Sequence, residues 1–247
     1  MRKSIGTIVL FILVLLCLAG CASQSEAPEE MPEVPEETAA PDAEQETAEA
    51  EVSPEERVLL STVCITAGEN GYGTGFAIEE GRILTSYHVV WEAPDEITVL
   101  TYEGTEYPAE LIAFNAEADI AVLKYDGSLE PVVFADPDLV EEEEPLTAIG
   151  NPSGDLSFSM VPGKAVVLSE ELRDKFDKDR QYIFYDGDAV SGYSGGPVFD
   201  KNGAVVGILY GRYSADLSSY GYDNLCVIIP IDRAQAVVEE ILRSENA

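Results

Sequence analysis

From residue 63 to residue 229 the chain is cut into short apolar runs, each ended by a turn rich in Gly, Asp, Asn or Glu. Runs this short fit strands. Strands at this spacing fold into a barrel or sandwich, not a parallel α/β sheet. In the first half the runs cover residues 63–66, 76–78, 83–85, 97–101, 106–114 and 120–125. After a loop at 126–144, ending in the solvated acidic run Glu141-Glu142-Glu143-Glu144, the second half repeats the pattern. Its runs are 146–150, 158–168, 182–185, 198–199, 204–210 and 224–229. Each half holds about six strands, the count for one barrel. Only residues 231–243 break the rhythm. There Ala234, Val237, Val238, Ile241 and Leu242 recur at helical spacing. Asp232, with Gln235 three positions on, predicts the N-cap of that helix.

The chemistry gathers at Gly192-Tyr193-Ser194-Gly195-Gly196-Pro197, just before a β-hairpin. A Ser between glycines has an exposed hydroxyl and a backbone free to turn tightly, so that N–H groups can point at one spot beside it. A serine nucleophile with an oxyanion hole needs that arrangement. The plainer reading is a Gly-rich turn with an incidental Ser. A hydroxyl also needs a base, and the chain has one His, His88. A third group, a carboxylate, must orient the imidazole. Asp119 stands at the head of the apolar run Ile120-Ala121-Val122-Leu123, where an unpartnered Asp is costly to bury. Against these stand a core histidine and a strand-capping Asp.

Gly73-Thr74-Gly75-Phe76, Ile83-Leu84-Thr85-Ser86-Tyr87-His88-Val89-Val90, Asp119-Ile120-Ala121-Val122-Leu123-Lys124, Ile149-Gly150-Asn151-Pro152 and the Gly192–Pro197 run stand in this order. Together they resemble the HtrA/Deg-type trypsin-like serine proteases, over roughly residues 58–243. The resemblance implies an all-β fold: a chymotrypsin-like double six-stranded β-barrel with a C-terminal α-helix. It implies that Ser194 attacks, His88 moves the proton, and Asp119 holds the imidazole. The backbone N–H groups of Gly192 and Ser194 would form the oxyanion hole. Tyr193 departs from the pattern. HtrA proteins commonly carry Asn there, and the digestive proteases an Asp that pairs with a newly cut N-terminus, so no zymogen activation of that type is expected. The primary pocket is expected from residues just before Ser194 and from Leu209, Tyr210 and Gly211. Asp188, six positions before Ser194, either lines that pocket and selects Arg or Lys, or points to solvent. Few residues follow the last helix, so the PDZ module usual in the family is not expected.

Met1-Arg2-Lys3 and a long apolar run read as a signal peptide over residues 1–20, or as an uncleaved anchor. Leu18-Ala19-Gly20-Cys21 resembles a bacterial lipoprotein box and makes Cys21 the lipidated residue, tethering the protein to the membrane outside the cytoplasm. Residues 21–56 hold 13 acids and no base; such a segment cannot build a core and reads as a disordered stalk. The protease domain is expected over 57–247. The net charge of −33 excludes nucleic acid as a partner and favours cationic peptides, or serves solubility alone. Cys64 and Cys226 sit in apolar runs, as a disulfide or as two separate thiols. With one His and no Cys/His cluster, neither metal nor cofactor is expected. The reading is an extracytoplasmic endopeptidase acting on unfolded or envelope polypeptides, of open oligomeric state. Its rivals are a catalytically silent peptide-binding domain and a signalling protease with one dedicated substrate.

Overall fold

The computed structural model describes residues 52–179, 182–213, 217–222 and 225–245. The expected signal peptide, Cys21 and all but the end of the acidic stalk lie outside the described residues. Helix α1 (Pro54–Leu60) comes first. Ser53 caps it by accepting the Glu56 N–H at 3.1 Å, a Pro opens it, and Glu55 and Glu56 face its positive end. Ordered structure therefore begins ahead of residue 57. In sequence the acidic composition of this stretch masks its helix-start signal.

The first barrel is built from β1 (Thr62–Ala67), β2 (Gly71–Glu79), β3 (Arg82–Thr85), β4 (Ile97–Thr101), β5 (Glu106–Asn115) and β6 (Ile120–Tyr125). A one-turn helix, α2 (Tyr87–Val90), follows β3. The ring closes in the order β1-β2-β3-β6-β5-β4, antiparallel throughout. The short strand β7 (Val133–Phe134) leads to the second half: β8 (Pro145–Gly150), β9 (Ser159–Val166), helix α3 (Glu170–Phe176), β10 (Ile183–Asp186), β11 (Pro197–Phe199), β12 (Ala204–Arg212), β13 (Leu225–Pro230) and helix α4 (Ile231–Glu245). Here β11-β8-β9-β10-β13-β12 form a sheet that the β11–β12 pairing closes into a second six-stranded antiparallel barrel. β7 adds to β12 as a parallel edge.

Strands such as β6 read as continuous apolar runs because both of their faces are buried. On β6, Ala121 and Leu123 fill the interior of the first barrel, while Ile120 and Val122 face a second cluster. That cluster joins Phe76 and Leu84 of the first barrel to Ile149, Phe199 and Ile208 of the second, and to Ala234 and Val238 of α4. Each fully buried side chain of this size contributes about 1.5–3 kcal/mol, so the seam between the barrels is itself a core. α4 covers it, with Val237 partly buried beside Val238. The Ile241 and Leu242 side chains lie outside the described residues.

Two elements differ from expectation for local reasons. α4 starts at Ile231, directly after β13, so Asp232 occupies the first turn and is not the N-cap. α3 fills the stretch between the expected runs 158–168 and 182–185, for which no element is expected. Ser169 accepts the Leu172 N–H, Glu170 and Glu171 fill the first turn, and Arg173 and Lys175 lie in the last. Cys64 and Cys226 are separate, buried free thiols, one in each barrel. Burial, and after it the Asp155 charge, pushes the Cys64 thiol up to about 11. Burial likewise raises Cys226.

Candidate active site

The site is assembled where the loops of the two barrels meet. β3 runs into α2, and this turn carries His88. Asp119 ends the β5–β6 turn. Asn115 folds that turn by accepting the N–H groups of Glu117 at 3.0 Å and Ala118 at 2.9 Å. Asp119 has a φ of 55°, in the left-handed region. Asp tolerates that region better than most residues, yet such a conformation is held only where the surroundings demand it. The demand here is two-handed. The His88 backbone N–H donates to Asp119 Oδ1 at 2.8 Å, and His88 Nδ1 lies 2.7 Å from Asp119 Oδ2. The Tyr87 N–H also donates to the Asp119 carbonyl at 3.2 Å. A carboxylate only accepts, so Nδ1 carries the hydrogen and the Nε2 lone pair is left for another donor. The Asp119 side chain is 14% exposed and that of His88 42%: the carboxylate is sheltered and the imidazole faces the cleft.

Ser194 comes from the second barrel, on the loop before β11. The loop is held at both flanks. The Gly195 N–H donates to the Leu209 carbonyl and the Leu209 N–H to the Gly196 carbonyl, both at 2.8 Å. Across the barrel seam, Thr74 of β2 uses every polar atom it has. Its N–H donates to the Ser194 carbonyl at 2.9 Å. Its hydroxyl donates to the Gly192 carbonyl at 2.6 Å and accepts the Asn151 N–H at 3.0 Å. Its carbonyl accepts the Thr85 hydroxyl at 2.7 Å. Gly192 has a φ of 92°, and a Cβ there would lie 2.2 Å from the Asn151 carbonyl oxygen, so only Gly fits. Among the described residues, neither the Gly192 N–H nor the Ser194 N–H has an acceptor.

His88, Gly192 and Ser194 line one open cleft of about 340 Å³, with Tyr72, Trp91 and Glu92 on its rim. Ser194 Oγ donates to the Tyr210 carbonyl at 3.3 Å. Among the described residues it makes no hydrogen bond to His88. The Tyr210 ring stands edge-on to His88, with centroids 5.8 Å apart, and stacks on Tyr182 at 6.1 Å. Its phenol is raised by burial first and by the Asp119 charge second.

The residues expected in the primary pocket divide. Tyr210 touches His88 with its ring and Ser194 with its carbonyl. Gly211, beside it on β12, has a φ of 152° and open space where a Cβ would stand. Leu209 corrects the expectation: its side chain is 1% exposed and packs in the second barrel, because strand alternation turns it inward where Tyr210 turns outward. Asp188 is exposed and is not among the residues that line the cleft of His88 and Ser194. Sequence reading missed the hub role of Thr74 and the cleft residues Tyr72, Trp91 and Glu92. Thr74 stood inside a motif, but its 118-residue separation from Gly192 left no local signal.

Comparison with known proteins bears on the family and the fold. A family model, the trypsin-like peptidase domain, matches residues 73–208, more than half the chain. A probable periplasmic serine endoprotease DegP-like of Halomonas elongata is 36% identical over 173 residues, 68% of this chain and 35% of that protein. The protein of the same description from Brucella suis biovar 1 is 34% identical over 179 residues, 69% and 33% respectively. The chain thus spans about a third of the length of these curated relatives. Two solved structures share the fold. The Rv3671c protease in its inactive form aligns at a TM-score of 0.60 and 24% identity, over 74% of this chain and 90% of that one. The serine endoprotease from Yersinia pestis aligns at 0.65 and 22%, over 77% and 65%. With its double barrel and with residues 73–208 matching the family model, this chain belongs to the trypsin-like peptidase family.

Proposed function

We propose that the chain is a serine endopeptidase of the HtrA/Deg type, working outside the cytoplasm on unfolded or mislocalised envelope polypeptides. The observation that carries this reading is the His88–Asp119 pair at 2.7 Å, facing a cleft that Ser194 also lines. Ser194 turns its hydroxyl from the Tyr210 carbonyl towards His88 Nε2, gives up its proton and attacks the scissile carbonyl carbon. The carbonyl oxygen becomes an oxyanion, met by the N–H groups of Gly192 and Ser194; one such donor is worth about 10²–10³ in rate. His88 then passes its proton to the leaving amine, and a water molecule hydrolyses the acyl-enzyme. Asp119 keeps the imidazole in the right tautomer and stabilises its charged form.

The Leu-Ala-Gly-Cys box supports a lipid tether at Cys21 and hence attachment to the membrane. The acid excess would gather cationic stretches of unfolded substrate. A second reading, a catalytically silent peptide-binding domain, has one observation in its favour: the Ser194 hydroxyl is engaged by Tyr210, not by His88. Hydrolysis of a casein-type substrate and of a peptide library by the purified soluble domain separates the two. An enzyme cleaves, and its Ser194→Ala variant loses at least two decades of rate with the fold intact. Equal turnover by wild type and variant refutes the assignment. A wild type that binds peptides without cutting them establishes the silent domain.

A further inference from the structure

We propose that Tyr193 is the positioning residue of the oxyanion hole, and that it acts through a neutral hydroxyl latch to Ser159. The proposal rests on the reading of Ser194 as nucleophile. Tyr193 stands between the two candidate hole donors: the Ser194 N–H lies on the Tyr193–Ser194 peptide itself, and the Gly192 N–H lies one peptide upstream, so the Gly192–Tyr193 peptide anchors its far side. The Tyr193 carbonyl accepts the Gly196 N–H at 2.9 Å. Carbonyl and N–H point opposite ways in a trans peptide, so this bond turns the Ser194 N–H away from Gly196. Its N–H donates to the Val190 carbonyl at 3.3 Å, and the Gly192 carbonyl is taken by Thr74 and Asn151. Both peptides that flank Tyr193 are thus pinned.

The side chain explains how the pins hold. Tyr193 is 3% exposed and belongs to the core of the second barrel, beside Leu146, Ala148 and Tyr185. Its ring lies so close on Gly150 that a Cβ there would come 2.2 Å from the ring carbon Cγ. Its hydroxyl pairs with the Ser159 hydroxyl. Gly150 and Ser159 are register partners at the end of the β8–β9 hairpin, so ring and hydroxyl grip the two strands of one rigid ladder. A flip of the Gly192–Tyr193 or Tyr193–Ser194 peptide has to drag a buried ring and its paired hydroxyl along. Among the described residues the hydroxyl's partner is the uncharged Ser159, so the grip is not ionic.

The test compares wild type, Tyr193→Phe, Ser159→Ala, the double variant and Ser194→Ala. It reads kcat and KM on a peptide substrate, the second-order rate of Ser194 labelling by a fluorophosphonate, and the affinity for a peptide boronate, which mimics the tetrahedral adduct. Losing a hydrogen bond of this kind should lower kcat and the labelling rate by roughly tenfold, with KM within about twofold of wild type. Boronate affinity should fall by the same factor. Because both singles break one bond, the double variant should be no worse than the worse single. The thermal midpoint should stay close to wild type in Tyr193→Phe, which keeps the ring. Unchanged kcat and boronate affinity in Tyr193→Phe would overturn the proposal. So would losses that multiply in the double variant, or a lowered melting point with kcat intact. A wild type that neither labels at Ser194 nor outpaces Ser194→Ala sinks the parent reading as well, and that outcome is visible before any Tyr193 variant is compared.

Discussion

His88 and Asp119, both from the first barrel, meet through hydrogen bonds of 2.8 and 2.7 Å, whereas Ser194, from the second, gives its hydroxyl to Tyr210 of its own barrel at 3.3 Å. With His88 as base and Ser194 as nucleophile, as proposed, the first barrel delivers a finished part, a base already oriented by its carboxylate. The second delivers a nucleophile on a well-held loop whose side chain still has to turn. The difference follows from how each part is built. The base and its orienter sit on the β3–α2 and β5–β6 connections, on adjoining sides of one closed barrel. The nucleophile's loop is held by backbone bonds, by the ring of Tyr193 and by Thr74 reaching across the seam. None of these restrains the Ser194 hydroxyl itself. The chemical step then depends on one local rotation, not on rearrangement of the barrels.

Asp119→Asn attacks the finished half. Asn tolerates the left-handed backbone, so the turn should survive while the carboxylate is lost. An amide no longer enforces the Nδ1–H tautomer, and kcat should fall by as much as ~10⁴. A loss below tenfold in steady-state kinetics would mean that the carboxylate does not orient the base. Thr74→Val attacks the link between the halves. The shape is nearly kept, but the Asn151 N–H and the Gly192 carbonyl lose a buried partner, a cost of about 1–3 kcal/mol. Both a lower denaturation midpoint and a roughly 10–100-fold drop in kcat are expected, because the loop that carries the hole loses its cross-barrel tie. Full activity in this variant would show that the seam bonds are packing alone.

The smallest expected effect uses the thiols, one in each barrel. Burial raises both, Cys64 to about 11. Unfolded thiols ionise at lower pH than folded ones, so the unfolded state binds fewer protons. Stability should therefore fall as pH climbs from the ordinary thiol range towards 11, by on the order of 1 kcal/mol from Cys64 between pH 8 and 10. Denaturant midpoints of wild type and Cys64→Ala across that range should converge. Parallel curves would mean that Cys64 stays protonated in the unfolded chain too, or ionises freely in the folded one.

The strands were legible because barrels of this size bury both faces of their ladders, so that runs such as Ile120 to Leu123 stand out as unbroken apolar stretches. His88, Asp119 and Ser194 stood out in the sequence because their residue types are scarce or costly in those contexts, the single His above all, and the fold brings His88 to 2.7 Å from Asp119. What sequence hid was contact at a distance. Thr74 and Gly192 lie 118 positions apart, and nothing near Thr74 marks its hydroxyl as the cross-barrel tie. Tyr193 read as a departure from the family pattern, and only the Gly150–Ser159 register gives its ring a place. Leu209 was misjudged because a pocket wall was assigned to a run of neighbours, while a strand sends alternate side chains to opposite faces. The short helices α1 and α3 carried capping signals at Ser53 and Ser169 that acidic surroundings obscured.

The central claim is that the two halves work as one unit, His88 of the first barrel acting on Ser194 of the second. Hydrolysis rates of wild type, His88→Ala, Ser194→Ala and the double variant test it most directly, with folding checked by thermal unfolding. Groups that act as a unit lose nearly everything at the first removal. Each single variant should drop to about the same residual rate, and the double variant should drop no further. Losses that multiply, or a His88→Ala variant that keeps near wild-type turnover, would contradict it.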